Sequence, residues 1–164
     1  MVNKELLFRV NGIPQGKGRP RVSTANGITR AYTPAKTRKY EQEVAEAAKL
    51  AAMKQNWMKS DAPIILHICA WFPIPKSWPK WKKAAAQAGD IYPTTKPDAD
   101  NIGKGISDAL NEIVYNDDSQ VVECIIKKRY CRIDNEPHVV VFVEPMKPYS
   151  VLQEEAMQAV KQEG

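Results

Sequence analysis

The chain has 164 residues, of which 43% are hydrophobic and 26% are charged. That length is one ordinary domain and is too short for two, and the composition excludes both wholesale disorder and a small disulfide-stapled protein. With 24 Lys and Arg against 19 Asp and Glu, the formal net charge is +5.

Hydrophobic periodicity predicts four strands and four helices. A short apolar strand leads into residues 12–21, a loop rich in glycine, proline and cations that we interpret as a flexible basic arm. Thr33-Pro34 then marks the start of a long helix. The predicted elements are strand 5–10, helix 35–55, strand 63–72, helix 78–88, helix 100–113, strands 121–132 and 138–144, and helix 150–162. The last two strands alternate like the arms of a hairpin.

The charges are unevenly distributed along the chain. Residues 1–40 hold nine basic side chains and a single acid, Glu5, whereas the remaining 124 residues carry a net charge of −3. This asymmetry predicts an N-terminal part that faces a polyanion and a remainder that could hold cations. No segment has the length and apolarity of a signal peptide or a membrane span, so we expect no membrane association and a cytoplasmic location.

The three cysteines, at positions 69, 124 and 131, are an odd number without Cys-x-x-Cys spacing. We therefore expect reduced thiols and no zinc site.

Residues 96–108 carry the densest set of candidate functional side chains. Asp98 and Asp100 are two residues apart, so in the extended conformation expected beside Pro97 their carboxylates point the same way. On the helix that follows, apolar residues fall on one face, and the opposite face carries Asp100, Asn101, Lys104 and Asp108. A turn at 116–118 can bring a third carboxylate beside the first two.

Two interpretations of these acids are open. Carboxylates about 4 Å apart repel by roughly 4 kcal/mol per pair at an effective dielectric near 20, so a cluster of them persists only with cations, and oxygen ligands favour Mg²⁺ or Mn²⁺. Alternatively, Asp98 or Asp100 only caps the helix, and Lys104 only forms a salt bridge along it. We assign Asp108 to that structural role. A calcium loop of the EF-hand type is excluded, because Ile102 and Ala109 occupy ligand positions.

The motifs resemble those of the RusA family of Holliday junction resolvases, which are phage- and prophage-associated endodeoxyribonucleases. The resemblance rests on Asp98-x-Asp100-Asn101, on Lys104 and Asp108 in the next helix, and on Asp117-Asp118-x-Gln120-Val121 before a strand. It extends from the N-terminal strand and its Gly-Lys-Gly-Arg-Pro-Arg loop, through Tyr40 on the long helix, to the last strand near Glu144.

The resemblance implies that Asp98, Asp100 and Asp118 are catalytic carboxylates that bind Mg²⁺, with Mn²⁺ as an alternative, and that Lys104 is the essential lysine. Asp117, the first acid of the Asp-Asp pair, has a less certain role. The resemblance also implies a homodimer and a single α/β domain of the α+β type, in which helices pack on a mixed β-sheet. That domain would span residues 1–147, with a helical tail over residues 148–164.

Basic residues near the N-terminus and beside the acidic segment are the candidates for DNA binding. We predict that DNA is bound by Lys17, Arg19, Arg21, Arg30 and Lys96, although the arm could also be only a solvated loop. The predicted function is Mg²⁺-dependent resolution of four-way DNA junctions by symmetric paired nicking during recombination and repair. The alternatives are a nuclease with a broader range of branched substrates, such as flaps or forks, and a non-catalytic DNA-binding protein.

Overall fold

The computed structural model describes residues 4–162. In chain order its elements are β1 (Leu6–Asn11), β2 (Arg21–Ala25), β3 (Ile28–Tyr32), α1 (Ala35–Gln55), β4 (Ile64–Phe72), α2 (Lys80–Ala88), α3 (Ala99–Ala109), β5 (Val121–Tyr130), β6 (His138–Pro145) and α4 (Tyr149–Gln162). A 3₁₀ turn at Asp118–Gln120 precedes β5. The bounds of α1 agree with the predicted helix.

The main sheet is mixed, as predicted. Its strand order is β1-β6-β4-β5, in which β6 pairs antiparallel with both neighbours and β5 runs parallel to β4. A parallel pair needs a long crossover connection, and here that connection contains α2 and α3. The α+β class is therefore confirmed, and the crossover is what carries the acidic segment.

The apolar face of α3 anchors this helix in the core. Ile102, Ile106 and Leu110 are fully buried, together with alternate residues of β4 and one face of α1. Full burial of each isoleucine or leucine side chain contributes roughly 1.5–3 kcal/mol, so the orientation of the helix is strongly determined. The opposite face, with Asp100 and Lys104, is therefore held toward solvent.

The predicted hairpin between the last two long strands is wrong. β4 lies between β5 and β6 and pairs with both, so these two strands do not pair with each other. Alternation identifies a strand and the face it buries, but it does not identify its partner, and consecutive strands are neighbours only about two-thirds of the time.

A second, two-stranded sheet was missed in the sequence. β2 and β3 pair antiparallel and are joined by Asn26 and Gly27. Both turn residues have positive φ, 51° and 74°, as a type I′ turn requires, and Asn-Gly between alternating runs is a strong hairpin signal. The basic arm therefore ends at Pro20, and Arg21 already belongs to a strand.

α3 is shorter than expected, because it ends at Ala109 and not at residue 113. The chain turns away through Glu112, whose φ of 63° lies in the left-handed region and whose N–H donates to the carbonyl of Tyr115 at 2.8 Å. This turn directs the chain toward the second acidic motif.

The C-terminal helix α4 agrees with the predicted tail helix, and its side chains up to residue 161 are exposed. Residues 163 and 164 of the predicted tail lie outside the described residues. Within the described range, no helix combines the length and apolarity needed to cross a membrane. The three cysteines are free thiols, as expected.

Candidate active site

Asp98 and Asp100 lie at the start of α3. Asp98 occupies the N-cap position with extended backbone angles, but its side chain makes no capping hydrogen bond, and Asp100 lies in the first turn. Both are exposed, and neither forms an ion pair with any residue from 4 to 162. The side chain of Asp98 therefore does not cap α3, and the carboxylates of Asp98 and Asp100 are both free to bind a ligand.

The second acidic motif is held by a tight turn. The carboxylate of Asp117 accepts a hydrogen bond from the N–H of Ser119 at 2.9 Å, and the Ser119 hydrogen bonds hold the pKa of Asp117 below its usual value. The side chain of Gln120 closes a capping box by accepting from the N–H groups of Asn116 and Asp117 at 2.8 and 3.2 Å.

Gln120 also ties this turn to the main sheet. Its amide nitrogen donates to the carbonyls of Ser60 and Ala62, just before β4, at 2.9 and 3.0 Å. This role of Gln120 was not predicted, although the Asp-x-x-Gln spacing from Asp117 is the usual sequence signal of a capping box. The consequence is a fixed position for Asp118 at the start of β5.

Asp118 faces Asp108 on the solvent side of α3, and the two carboxyl groups share a hydrogen bond. Partial burial and the neighbouring Asp108 raise the pKa of Asp118. Burial also acts to raise the pKa of Asp108, but hydrogen bonds with Lys17 and Asp118 and the charges of Lys17 and Lys104 outweigh it, so that pKa is lowered. Of the two acids, Asp118 is therefore the one that binds a proton more readily.

Lys17 joins the basic arm to these acids. Its ammonium group contacts Asp108 Oδ2 directly and lies 3.1 Å from Glu41 Oε1, while its backbone N–H donates to the carbonyl of Asn101 at 2.9 Å. Lys104 Nζ lies farther from Asp108 Oδ2, at 4.0 Å. Asp108 has the structural ion-pair role predicted for it, but its main partner is Lys17, 91 residues away, and not Lys104.

A close backbone approach makes this junction sensitive to substitution at Gly16. A Cβ added there would lie 2.9 Å from Pro97 Cβ and 3.1 Å from Asn101 Cβ. We expect Gly16→Ala to push the arm from α3, break the Lys17–Asn101 hydrogen bond, lower the free energy of unfolding by about 1–3 kcal/mol and weaken DNA binding. Urea denaturation and a DNA-binding titration measure the two effects.

Gly105→Ala is the matched control on the helix side of the same junction. Its added Cβ would lie 3.5 Å from the backbone nitrogen of Lys17, which is ordinary contact. Alanine also favours the helix by up to about 1 kcal/mol over glycine, so we expect this variant to be as stable as the parent or more so. Equal stability and DNA affinity in both variants would show that the close approach at Gly16 is unimportant.

A groove of about 1000 Å³ runs between the basic arm, the start of α1 and the start of α3. Four of the five predicted DNA-binding residues line it, together with Asp98 and one cation that the sequence analysis missed, Lys36. The cations in the groove are Lys17, Arg19, Arg21, Lys36 and Lys96. The fifth predicted residue, Arg30, lies outside it on β3.

These groove cations, except for Lys17, are available to a ligand. Arg19, Arg21, Lys36 and Lys96 are exposed, and none is in an ion pair with a described acid. Their charges are therefore uncompensated by the protein. A groove lined in this way is complementary in charge to a polyanion, and Asp98 is part of its lining.

The predicted metal ligands are placed at two points along one helix face. Asp98 and Asp100 lie at the start of α3, whereas Asp118 lies beside Asp108. Along the helix axis, Asp108 is two turns or about 12 Å beyond Asp100. Across the part of the chain that the structure describes, no three His, Cys, Asp or Glu side chains stand close enough together to hold a metal ion. Lys104 lies between the two acidic points.

Comparison with known proteins gives two matches. Residues 11–144 match the family described as "Endodeoxyribonuclease RusA". A protein of Bacillus subtilis strain 168, described as "Uncharacterized protein YqaN", is 40% identical over 140 residues, which cover 84% of this chain and 94% of that protein. The family match includes all the residues that form the groove and the acidic site.

Proposed function

This chain belongs to the RusA endodeoxyribonuclease family, and we propose that it resolves four-way DNA junctions by Mg²⁺-dependent, symmetric paired nicking. The observation that carries this proposal is the cationic groove whose lining includes the free carboxylate of Asp98, with that of Asp100 in the first turn of the adjoining helix. A polyanion guided into the groove brings a phosphodiester to oxygen ligands. Neither the groove nor the acids alone would favour cleavage over simple binding.

The proposed DNA contacts are made by Arg19, Arg21, Lys36 and Lys96 in the groove, with Arg30 beyond it. Phosphate contacts fix the position of a protein on DNA without reading sequence, which suits an enzyme that must recognise a branch. Lys17 differs, because Asp108 and Glu41 already share its charge. We propose that Lys17 mainly fixes the basic arm against α3 and that it also contributes to DNA binding as part of that arm.

The donor set fits a hard divalent cation. Asp98, Asp100 and Asp118 offer only oxygen ligands, the first two unpaired and the third beside Asp108. We propose that these three would hold Mg²⁺ or Mn²⁺, which when bound would supply a Lewis acid and lower the pKa of water. Asp118 lies about two helical turns from Asp100, so a cation shared by all three acids would require the turn that carries Asp118 to move toward the start of α3.

Two further residues of the site, Lys104 and Asp108, have proposed roles in stabilising charge and in positioning a neighbouring side chain. Lys104 lies one turn beyond Asp100 with a side chain 63% exposed, so its ammonium group can reach a phosphate bound at the start of α3. There it would stabilise the negative charge that grows during phosphodiester cleavage. Asp108 holds the ammonium group of Lys17 and faces Asp118.

Paired nicking requires two copies of this site. A four-way junction has two-fold symmetry, and a homodimer would place equivalent sites on both sides of that axis. We further propose that residues 1–147 form the catalytic domain and that residues 148–164, including α4, are an addition to it.

The test uses the purified protein with a labelled four-way junction, a flap, a fork and a linear duplex of the same sequence, each with Mg²⁺, Mn²⁺ or EDTA. We expect paired nicks in the junction with Mg²⁺ or Mn²⁺ and none with EDTA. Equal cleavage of flaps and forks would replace junction resolution with a broader branched-DNA activity. Binding without cleavage under every metal condition would refute the nuclease proposal and leave a DNA-binding protein.

A further inference from the structure

The β2–β3 hairpin contributes no buried residue to the described part of the chain. All residues from 19 to 32 are exposed, including Val22, Ile28 and Tyr32, at 65%, 56% and 48% of their surface. An isolated two-stranded hairpin is marginally stable in water, and clustered exposed apolar side chains commonly mark a binding surface. The hairpin therefore presents a surface that is available to a partner from outside the chain.

The two faces of the hairpin differ in chemistry. The antiparallel register places Arg21 opposite Tyr32 and Ser23 opposite Arg30 on one face, which we call the arginine face. A hollow of about 450 Å³ on this face is lined by Ser23, Ala25, Asn26, Ile28, Arg30 and Tyr32. The other face carries no charge and consists of Val22, Thr24, Thr29 and Ala31, with the two threonine hydroxyls 3.2 Å apart.

We propose that the arginine face binds a double-stranded arm of the DNA substrate, with Arg21 and Arg30 on phosphates and Tyr32 against the sugars and bases. This inference rests on the proposed function and deepens it, because it identifies the element that holds the DNA arm outside the catalytic groove. A two-stranded ribbon has the width that the major groove of DNA admits.

Charge and continuity both favour DNA as the occupant. Residues 6–40 contain no acid, so the hairpin and everything around it in sequence is complementary to a polyanion. Arg21 belongs to the arginine face and also lines the groove that leads to Asp98, so one DNA strand can follow both surfaces without a break. A second copy of this chain would present an equally basic hairpin, which would repel the first.

Bound DNA is expected to stabilise the paired strands of the hairpin. Cross-strand hydrogen bonds that no other element covers open readily, and their amides exchange quickly with solvent. DNA seated on the arginine face would hold both strands together and protect the amides that pair across them, those of Ser23 with Arg30 and of Ala25 with Ile28. This effect requires binding alone and does not require cleavage.

The first measurement is hydrogen exchange of the full-length protein in EDTA, alone, with a four-way junction, and with a linear duplex of one arm. We expect the hairpin amides to be protected at least about tenfold by either DNA. Protection that depends on protein concentration and not on DNA would identify a second copy as the occupant. If the protein binds the junction but the hairpin stays unprotected, the inference is wrong and the proposed function stands.

The second measurement compares substitutions on the two faces. We expect Arg30→Ala to reduce the slope of log affinity against log salt by about 1, and Tyr32→Ala to weaken binding about tenfold with the slope unchanged. Thr24→Ala with Thr29→Ala is the control, because it alters the neutral face of the same hairpin. Equal losses in the control and the arginine-face variants would overturn the assignment of the face, whereas no DNA binding by any form, the parent included, would refute the proposed function itself.

Discussion

Asp118→Asn is expected to abolish junction cleavage while junction binding persists. Asparagine keeps the shape of the side chain and the 3₁₀ turn, but it removes the negative charge that we propose as a metal ligand. Mutation of a residue that only hydrogen-bonds to a metal ligand typically reduces metal affinity or activity about 10- to 100-fold. Loss of a ligand itself should therefore reduce the cleavage rate constant by more than about 100-fold. Single-turnover cleavage with saturating enzyme and Mg²⁺ measures it.

The same substitution should not destabilise the fold. Burial and Asp108 raise the pKa of Asp118, so its ionised form is disfavoured in the folded protein. For an acid whose pKa is raised by folding, this penalty is present above the folded pKa and absent below the unfolded pKa. Asp118→Asn is therefore expected to raise the melting temperature at neutral pH, by an amount that shrinks as the pH falls through the pKa of Asp118.

Asp117→Asn is the matched control one position earlier. Asp117 is fully exposed and serves as the cap of the turn, a role that asparagine fills equally well. We expect near-normal cleavage in this variant, which would assign the function of the Asp-Asp pair to its second member. Full activity in Asp118→Asn, or loss in Asp117→Asn alone, would contradict the proposed ligand set.

The local features of this site could be predicted from the sequence. The apolar stripe of α3 identified its buried face, and thereby the exposed positions of Asp100 and Lys104, because a helix has only one regular period. The N-terminal excess of cations likewise identified most of the groove. Both conclusions depend on residues that are close in sequence.

What could not be predicted depends on contacts between distant residues. The pairing of Lys17 with Asp108 joins the arm to α3, and no spacing rule relates positions 91 residues apart. The insertion of β4 between β5 and β6 is similarly invisible to alternation, which is the same for every partner. The β2–β3 hairpin is a different case, because its Asn26-Gly27 turn is a motif that predicts a hairpin from neighbouring residues alone. It was not predicted because the glycines and prolines just before it indicated a continuous flexible arm.

Lys104→Gln is expected to slow cleavage by about 100- to 1,000-fold with little change in junction affinity or stability. The rate effect follows if the ammonium group acts on charge that appears only in the transition state. Its ion pair with Asp108 spans 4.0 Å and Lys104 is 63% exposed, so the pair contributes at most about 1 kcal/mol to stability. The cleavage rate constant, the junction dissociation constant and the melting temperature separate these effects.

Lys39→Gln tests whether any loss in the Lys104 variant is specific. Lys39 forms an i,i+4 pair with Glu43 at the same 4.0 Å, on the exposed side of α1 and outside the groove. We expect this control to match the parent in rate, affinity and melting temperature, and Lys104→Arg to recover part of the rate because it restores the charge. If Lys104→Gln weakened binding and cleavage by the same factor, Lys104 would be a residue that holds DNA in the ground state, and the transition-state role proposed for it would be wrong.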